Sequence, residues 1–347
     1  MSLSRISLIA LGALALSGAV KANPSAGAQA VEPSPSVADA VDRSLRDNIF
    51  DPAVLDTPAY AAVRDAAPAL ERDNPDPQAF ARAYNALWRK GPTSHVRAAV
   101  ARADAEATAD MLDTMKAGPD ALTLEWKGDV AILTLNTMMG VDTVERVHAA
   151  MAEISARPAR GLIVDLRANK GGAFAGVALI SHLLDRPYEA GAFFSRKWTA
   201  TNRLPPARSA ATKLPVWSGW SIRTFWKDVT AQPVTRVRFQ PQAPYYGGPV
   251  FVLTSKKTAS AAEFTADALA GSGRAVLVGE RTVGEMLSQK PFDLPRGLQL
   301  FLPVANYVSW HSGVIEGHGV VPAVEVTADD ALPRALAMLD ARAPVDR

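Results

Sequence analysis

The sequence predicts an α/β fold: a core with a mostly parallel sheet flanked by helices, preceded by a small N-terminal helical domain. Three observations carry this expectation. From residue 118 onward, short apolar, β-branched runs alternate with helix-forming segments. The preceding stretch has helical spacing and no strand pattern. Hydrophobic residues make up 48% of 347, enough to bury a sizeable core. A net charge of +2, from 37 basic and 35 acidic side chains, leaves no surplus to neutralise phosphates and argues against a nucleic-acid partner. With no cysteine, thiolate catalysis, disulfides and cysteine metal sites are all excluded.

In chain order, Met1 to Arg5 is a short basic segment, Ile6 to Val20 an apolar one, and Val20-Lys21-Ala22 a small-residue processing site. Residues 1–22 therefore read as a signal peptide, and the chain as exported to a periplasmic or extracellular compartment. The apolar run is too short to span a bilayer, so no stable membrane span is expected after processing. Residues 23–36 form a Pro-, Ala- and Ser-rich tether with nothing to build a core from. Residues 37–117 read as a helical cap, with Val41, Leu45 and Ile49 on one face and Phe80, Tyr84, Leu87 and Trp88 on a later one. Gly118-Pro119 ends it.

Residues 118–340 form the expected α/β core. Leu122 to Trp126 and Val130 to Leu135 read as strands joined by a turn at Lys127-Gly128-Asp129. Val141 to Ser155 reads as a helix, Gly161 to Leu166 as a buried strand, and Ala173 to Leu184 as a helix. Residues 188–246 read as an irregular Trp-rich insertion, with Trp198, Trp217, Trp220 and Trp226 among prolines. Those tryptophans serve either core packing or an apolar cleft. Gly248 to Leu253 is the next strand, Ala261 to Ala270 a helix, Arg274 to Gly279 a strand segment, and Val324 to Val326 a final short strand. There is no internal repeat.

Four segments carry chemistry. Ser260 stands where a strand gives way to a helix, so free amides and the helix dipole converge on it. It is a nucleophile's position, or simply an N-cap with Glu263 completing a capping box. Asp165-Leu-Arg167-Ala-Asn169-Lys170-Gly171-Gly172 ends a strand on two glycines, which lets the backbone approach a bound carbonyl; a plain tight turn is the other reading. The spacing of a phosphate-binding loop is absent. Asp165 and Arg167 read as a turn-bracing pair. Ser94-His95 follows the cap helix, a loop histidine with a hydroxyl neighbour able to orient its ring or else merely solvated. Glu316 lies in a glycine-rich turn, a surface carboxylate when taken alone.

Together these segments resemble the C-terminal processing (tail-specific) and tricorn-core family of serine peptidases, from about Ser94 to Val326. The resemblance is carried by the Asp165 to Gly172 turn, by Thr258-Ala-Ser260-Ala-Ala-Glu263, by Val278-Gly-Glu-Arg-Thr-Val-Gly284 and by Glu316-Gly-His-Gly-Val-Val-Pro322. It implies a core similar to crotonase and ClpP, Ser260 as nucleophile, an oxyanion hole from Gly171, Gly172 and Ala261, protein or peptide substrates, and no metal or organic cofactor. The processing-peptidase branch has a lysine base where this chain has Glu285. The tricorn-like branch instead implies His95 as base with Ser94 and Glu316 orienting it. Between His95 and Leu122 there is no room for the PDZ module common in the family. Two rivals stay open: a non-catalytic carrier on the same fold, like the retinoid carriers of the eye, and an acyl-CoA enzyme of the crotonase type, which export argues against.

Overall fold

The computed structural model describes residues 35–342 apart from 203, 204, 206, 207, 212 and 218. The signal peptide and nearly all of the tether expected at residues 1–36 lie outside the described residues.

Three helices open the described chain: α1 (Val37–Asn48), α2 (Pro58–Asp73) and α3 (Pro77–Trp88). Ser36, Thr57 and Asp76 cap them by accepting first-turn N–H groups, and α2 and α3 start on a proline, where the missing N–H has no helical partner to lose. Their apolar stripes turn inward, with Leu45, Tyr60, Phe80 and Tyr84 almost fully buried. The stretch expected to be helical also contains a strand, β1 (Arg97–Val100), before α4 (Ala105–Thr114). The hairpin β2 (Leu122–Lys127) and β3 (Val130–Leu135) follows, then α5 (Val141–Ala156), β4 (Gly161–Asp165) and α6 (Ala175–Leu183).

The segment expected to be irregular is ordered at both ends. It begins with β5 (Tyr188–Ser195), passes through the short helices α7 (Arg196–Thr199) and α8 (Arg208–Ala211) and the longer α9 (Ile222–Ala231), and returns as β6 (Val234–Phe239). The remaining elements are β7 (Val250–Thr254), α10 (Ala261–Gly271), β8 (Val276–Gly279), β9 (Leu287–Leu294), β10 (Leu298–Ser309), β11 (Gly313–Val314), β12 (Val324–Glu325) and α11 (Ala328–Asp340).

The strands form two six-stranded sheets. The first has the order β12-β8-β7-β4-β3-β2 and is parallel except for the β2–β3 hairpin. The second, with no counterpart in the sequence expectation, is antiparallel in the order β1-β10-β5-β6, with β9 and β11 also paired to β10. The parallel strands are apolar on both faces, as strands buried on both sides must be. On one face Ile163, Phe251, Leu253 and Val278 pack against Ala331, Ala335 and Leu339 of α11. Leu162, Val164, Val250 and Val252, pointing the other way, join the main core with residues of α5, α6 and α10. Helix α10 lies between this sheet and the antiparallel one: Phe264 meets Phe193 of β5, Phe239 of β6 and Tyr307 of β10 in ring contacts of 4.9–6.2 Å. Among the described residues no helix is long and apolar enough to cross a membrane.

Leu339 is 1% exposed and fills the space above Gly161, where any Cβ would collide with its methyl groups. Truncating it leaves a cavity that the sheet below has little freedom to close. Leu339→Ala is expected to destabilise the fold by about 2–5 kcal/mol in urea-induced unfolding; a loss under about 1 kcal/mol would mean that α11 is not a packed layer.

Candidate active site

Strands β4 and β7 are parallel neighbours, paired Leu162↔Val250 through Asp165↔Leu253, so the turns leaving their C-terminal ends emerge side by side. Leu166 to Phe174 follows β4, and Ser255 to Ser260 follows β7. The two turns are laced together. Thr258 Oγ1 donates to Leu166 O at 2.9 Å, Ser255 Oγ to Arg167 O at 2.6 Å, and Ala259 N–H to Asn169 O at 3.1 Å. Asp165 and Arg167 brace the first turn as a bidentate pair, and Arg167 also donates to Ala328 O at the start of α11.

Ser260 caps α10 with φ 54° and ψ −122°. A non-glycine residue holds such a conformation at a cost on the order of 1–3 kcal/mol, and it persists only where the surroundings over-determine it. Here they do. Gly171 packs so tightly on the turn that a Cβ there would lie 2.7 Å from Ser260 Cβ and 2.9 Å from Ala261 N. On the other side Glu263, fully buried, accepts the Ser260 N–H at 2.9 Å. The capping arrangement is thus real, and the strained backbone is additional to it.

Of the three amides expected to face an oxyanion, one is taken. Gly171 N–H donates to Asn169 Oδ1 at 2.8 Å, because the Asn169 side chain folds back to close the turn. Gly172 and Ala261 N–H have no acceptor among the described residues. Gly171 contributes closeness and Gly172, at φ 140°, the open donor.

His95 comes from the loop between α3 and β1, and so from the antiparallel sheet's side of the molecule. It too has a positive φ, 60°. Its Nδ1 lies 2.6 Å from Ser94 Oγ. Near that pair sits the Glu316 carboxylate, which accepts from Met286 N–H at 2.7 Å and whose charged form the neighbouring Ser94 favours. With Ser94 Oγ accepting, the neutral imidazole carries its proton on Nδ1 and its lone pair on Nε2; with Ser94 Oγ donating, the tautomer is reversed. Burial, reinforced by the Arg97 charge, lowers the His95 pKa from 6.5 to about 4. Glu316 is pushed up by burial and drawn back by the Ser94 and Met286 donors.

These groups converge on one cavity of ≈ 710 Å³. His95, Gly171, Gly172, Ser260 and Ala261 line it; Ser94 and Glu316 do not, lying behind the imidazole. No hydrogen bond joins His95 to Ser260, whose described partners are Ser94 and Glu263 respectively. Glu285 and Lys170 are exposed on the cavity wall. The apolar wall begins at Phe174, two residues past Gly172, and at Phe264, one helical turn past Ser260. It continues through Phe193, Trp217, Phe225 and Trp226, with ring centroids such as Phe174–Trp217 4.9 Å and Trp217–Phe225 4.6 Å apart. The tryptophans divide: Trp217 and Trp226 line the cavity, whereas Trp198 packs on Phe194 and Trp220 stacks on Phe239. Sequence reasoning did not anticipate the wider bonding of Glu263, the Met286 amide, or the roof that Met111 and Leu112 of α4 form with Ile222 of α9.

The model of peptidase family S41 matches residues 129–326, more than half of the chain. The C-terminal processing peptidase of Tetradesmus obliquus chloroplasts is 27% identical over 209 residues, 60% of this chain and 37% of that protein. The carboxyl-terminal-processing protease of a Picosynechococcus strain is 42% identical over 79 residues, 23% of this chain and 19% of that one. The chain thus spans well under half the length of these relatives. Among solved structures, the photosystem II D1 C-terminal processing protease superposes with a TM-score of 0.52 at 17% identity, covering 84% of this chain and 93% of that one. A lipoprotein from Streptococcus agalactiae gives 0.57 at 15% identity, covering 91% and 100%. These superpositions show a shared fold, and the family match extends from β3 across both turns and Ser260 to Glu316: the chain belongs to peptidase family S41.

Proposed function

We propose that this chain is an exported serine peptidase of the tricorn-like type, hydrolysing protein or peptide substrates through an acyl-enzyme on Ser260. One observation carries the reading: a strained serine at a helix N-terminus stands beside two amides with no acceptor among the described residues and shares a cavity with a half-buried histidine of lowered pKa. Ser260 Oγ attacks the scissile carbonyl carbon as His95 Nε2 takes its proton. The carbonyl oxygen becomes an oxyanion held by the Gly172 and Ala261 N–H groups. Collapse breaks the C–N bond, and the imidazolium returns its proton to the leaving amine. Water then adds to the acyl-enzyme with His95 again as base, releasing the carboxylate product and restoring Ser260. Ser94 and Glu316 keep the imidazole in its accepting tautomer and stabilise the imidazolium. The missing His95–Ser260 hydrogen bond is compatible with this role, since catalytic contacts in a free enzyme tighten when substrate fills the site. Export rests on the Met1 to Ala22 segment.

The aromatic wall next to Phe174 and Phe264 fits a large apolar substrate side chain beside the scissile bond. It also favours a second reading, a carrier of apolar ligands that has lost turnover. Labelling by a serine-reactive fluorophosphonate separates the two. Wild type is expected to label at Ser260 and Ser260→Ala to lose the label with an almost unchanged thermal midpoint; a wild type that never labels would leave the carrier reading standing.

The histidine's burial gives a pH signature. His95 must be neutral to accept a proton, and its pKa is depressed, so activity persists as pH falls below 6.5 and is lost only toward about 4. The acid limb of kcat/KM is expected well below pH 6.5, with His95→Ala reducing turnover by about 10³-fold or more. An acid limb at or above 6.5, or full activity in His95→Ala, would exclude His95 as the base.

A further inference from the structure

The Glu263 carboxylate holds more than a helix cap. In a capping box the acid at this position accepts one N–H, that of the N-cap residue. Glu263 Oε2 accepts the Ser260 N–H at 2.9 Å and also the Glu285 N–H at 2.9 Å. Its Oε1 accepts Thr282 Oγ1–H at 2.5 Å and Gly284 N–H at 2.8 Å. The three additional donors come from 19 to 22 residues further along the chain, and the carboxylate is fully buried. All four partners donate. Thr282 Oγ1 is itself filled on its acceptor side by Val320 N–H at 2.6 Å, which turns its proton toward Glu263. Burial raises the Glu263 pKa, and the four donors oppose that shift by favouring the anion.

What the carboxylate joins gives it meaning. One side is the strained Ser260 turn. The other is the 282–286 loop, whose Met286 N–H holds Glu316, the carboxylate behind Ser94 and His95. The same loop grips the segment after Glu316 through Thr282 and through Gly317 N–H, which donates to Gly284 O at 2.8 Å.

We propose that Glu263 is a positioning residue that locks the Ser260 turn and the Glu316–Ser94–His95 relay into one register, so that nucleophile and base are set relative to each other by a single buried anion. This rests on the serine peptidase reading above. The residue touches no substrate; it acts through the backbone of Ser260 and the 282–286 loop.

Glu263→Gln tests it, because an amide keeps the shape and has one acceptor oxygen. Whichever way the amide turns, its NH₂ faces two donors, either Ser260 and Glu285 or Thr282 and Gly284. Saturation kinetics with a fluorophosphonate probe on the full chain, in which Ser260 Oγ bonds to phosphorus and fluoride leaves, separate the limiting rate of phosphonylation from the half-saturating concentration. Glu263→Gln is expected to lower the limiting rate by about 10²-fold, as small displacements of reacting groups do, with half-saturation within about twofold. Thr282→Val, which removes one donor and keeps the acid, is expected to lower it by about tenfold and decides the matter if Glu263→Gln does not fold. A folded variant that is phosphonylated at the wild-type limiting rate, with only its thermal midpoint lowered, would reduce Glu263 to a structural cap and overturn the proposal alone. A wild type that is not labelled at Ser260 would overturn the peptidase reading and this proposal with it.

Discussion

The left-handed turn at Ser260 is the constraint around which the rest is arranged. Its φ of 54° is unfavourable for serine, and nothing within the turn repays it. The compensation comes from outside: hydrogen bonds from the neighbouring β4 turn, the approach of Gly171, and a helix that cannot shift. From Ala262 to Leu269 every residue of α10 is buried, because a sheet or another helix covers each side. The close packing of α6 fixes it laterally, where Gly176 leaves room for Thr265 and nothing larger. A helix on a protein's surface could relax by a small rotation and lose the strain. This one would have to displace two sheets.

That placement also explains how the site is divided. The serine and the open amides belong to turns of the parallel sheet, whereas the histidine enters from the loop before β1, which pairs only with β10 of the antiparallel sheet. The cavity is the space between these two bodies of structure. The loops on its floor are stitched by hydrogen bonds within the serine side and within the histidine side, and Glu263 and Met286 link the sides beneath the cavity. Depth has an electrostatic consequence: desolvation beside Arg97 lowers the pKa of the half-buried His95, whose Nδ1 lies 2.6 Å from Ser94 Oγ.

The parallel sheet was legible in the sequence because its signals are local. β3, β4 and β7 are each an apolar run followed by a turn and a helix, and Ser260 and Gly171-Gly172 were visible in the turns after β7 and β4. The antiparallel sheet was hidden because its pairings are remote. Arg97 faces Phe301 and Phe194 faces Asn306, and prolines 291 and 303 sit inside β9 and β10 where a strand pattern argues against them. β5 and β6 were obscured by the Trp- and Pro-rich stretch between them. At the site, Glu263 could be read only as a cap, since its other donors are some twenty residues away. The occupied Gly171 amide followed from the fold of the Asn169 side chain, which spacing does not encode. Ser94 was legible as a hydroxyl beside His95, whereas a role for Glu316 came only from family resemblance; the 2.6 Å approach of Ser94 Oγ to His95 Nδ1 and the Met286 N–H bond to Glu316 are facts of the tertiary structure.

The substitution at position 285 bears on which base such a site can use. An exposed lysine there would have to be neutral to accept a proton, and bringing an ordinary ammonium from about 10.4 to near 7 requires roughly 5 kcal/mol of differential destabilisation. The cavity wall around residue 285 is open, and nothing there would exclude water from an ammonium. The same backbone position still serves the fold, since its N–H goes to Glu263 whatever the side chain. The histidine side has the opposite balance: burial that would be costly for a charged group, with the Arg97 charge adding to it, keeps an imidazole neutral. With a carboxylate at 285, the proposed base is the imidazole on the other side of the cavity, contributed by the loop before β1.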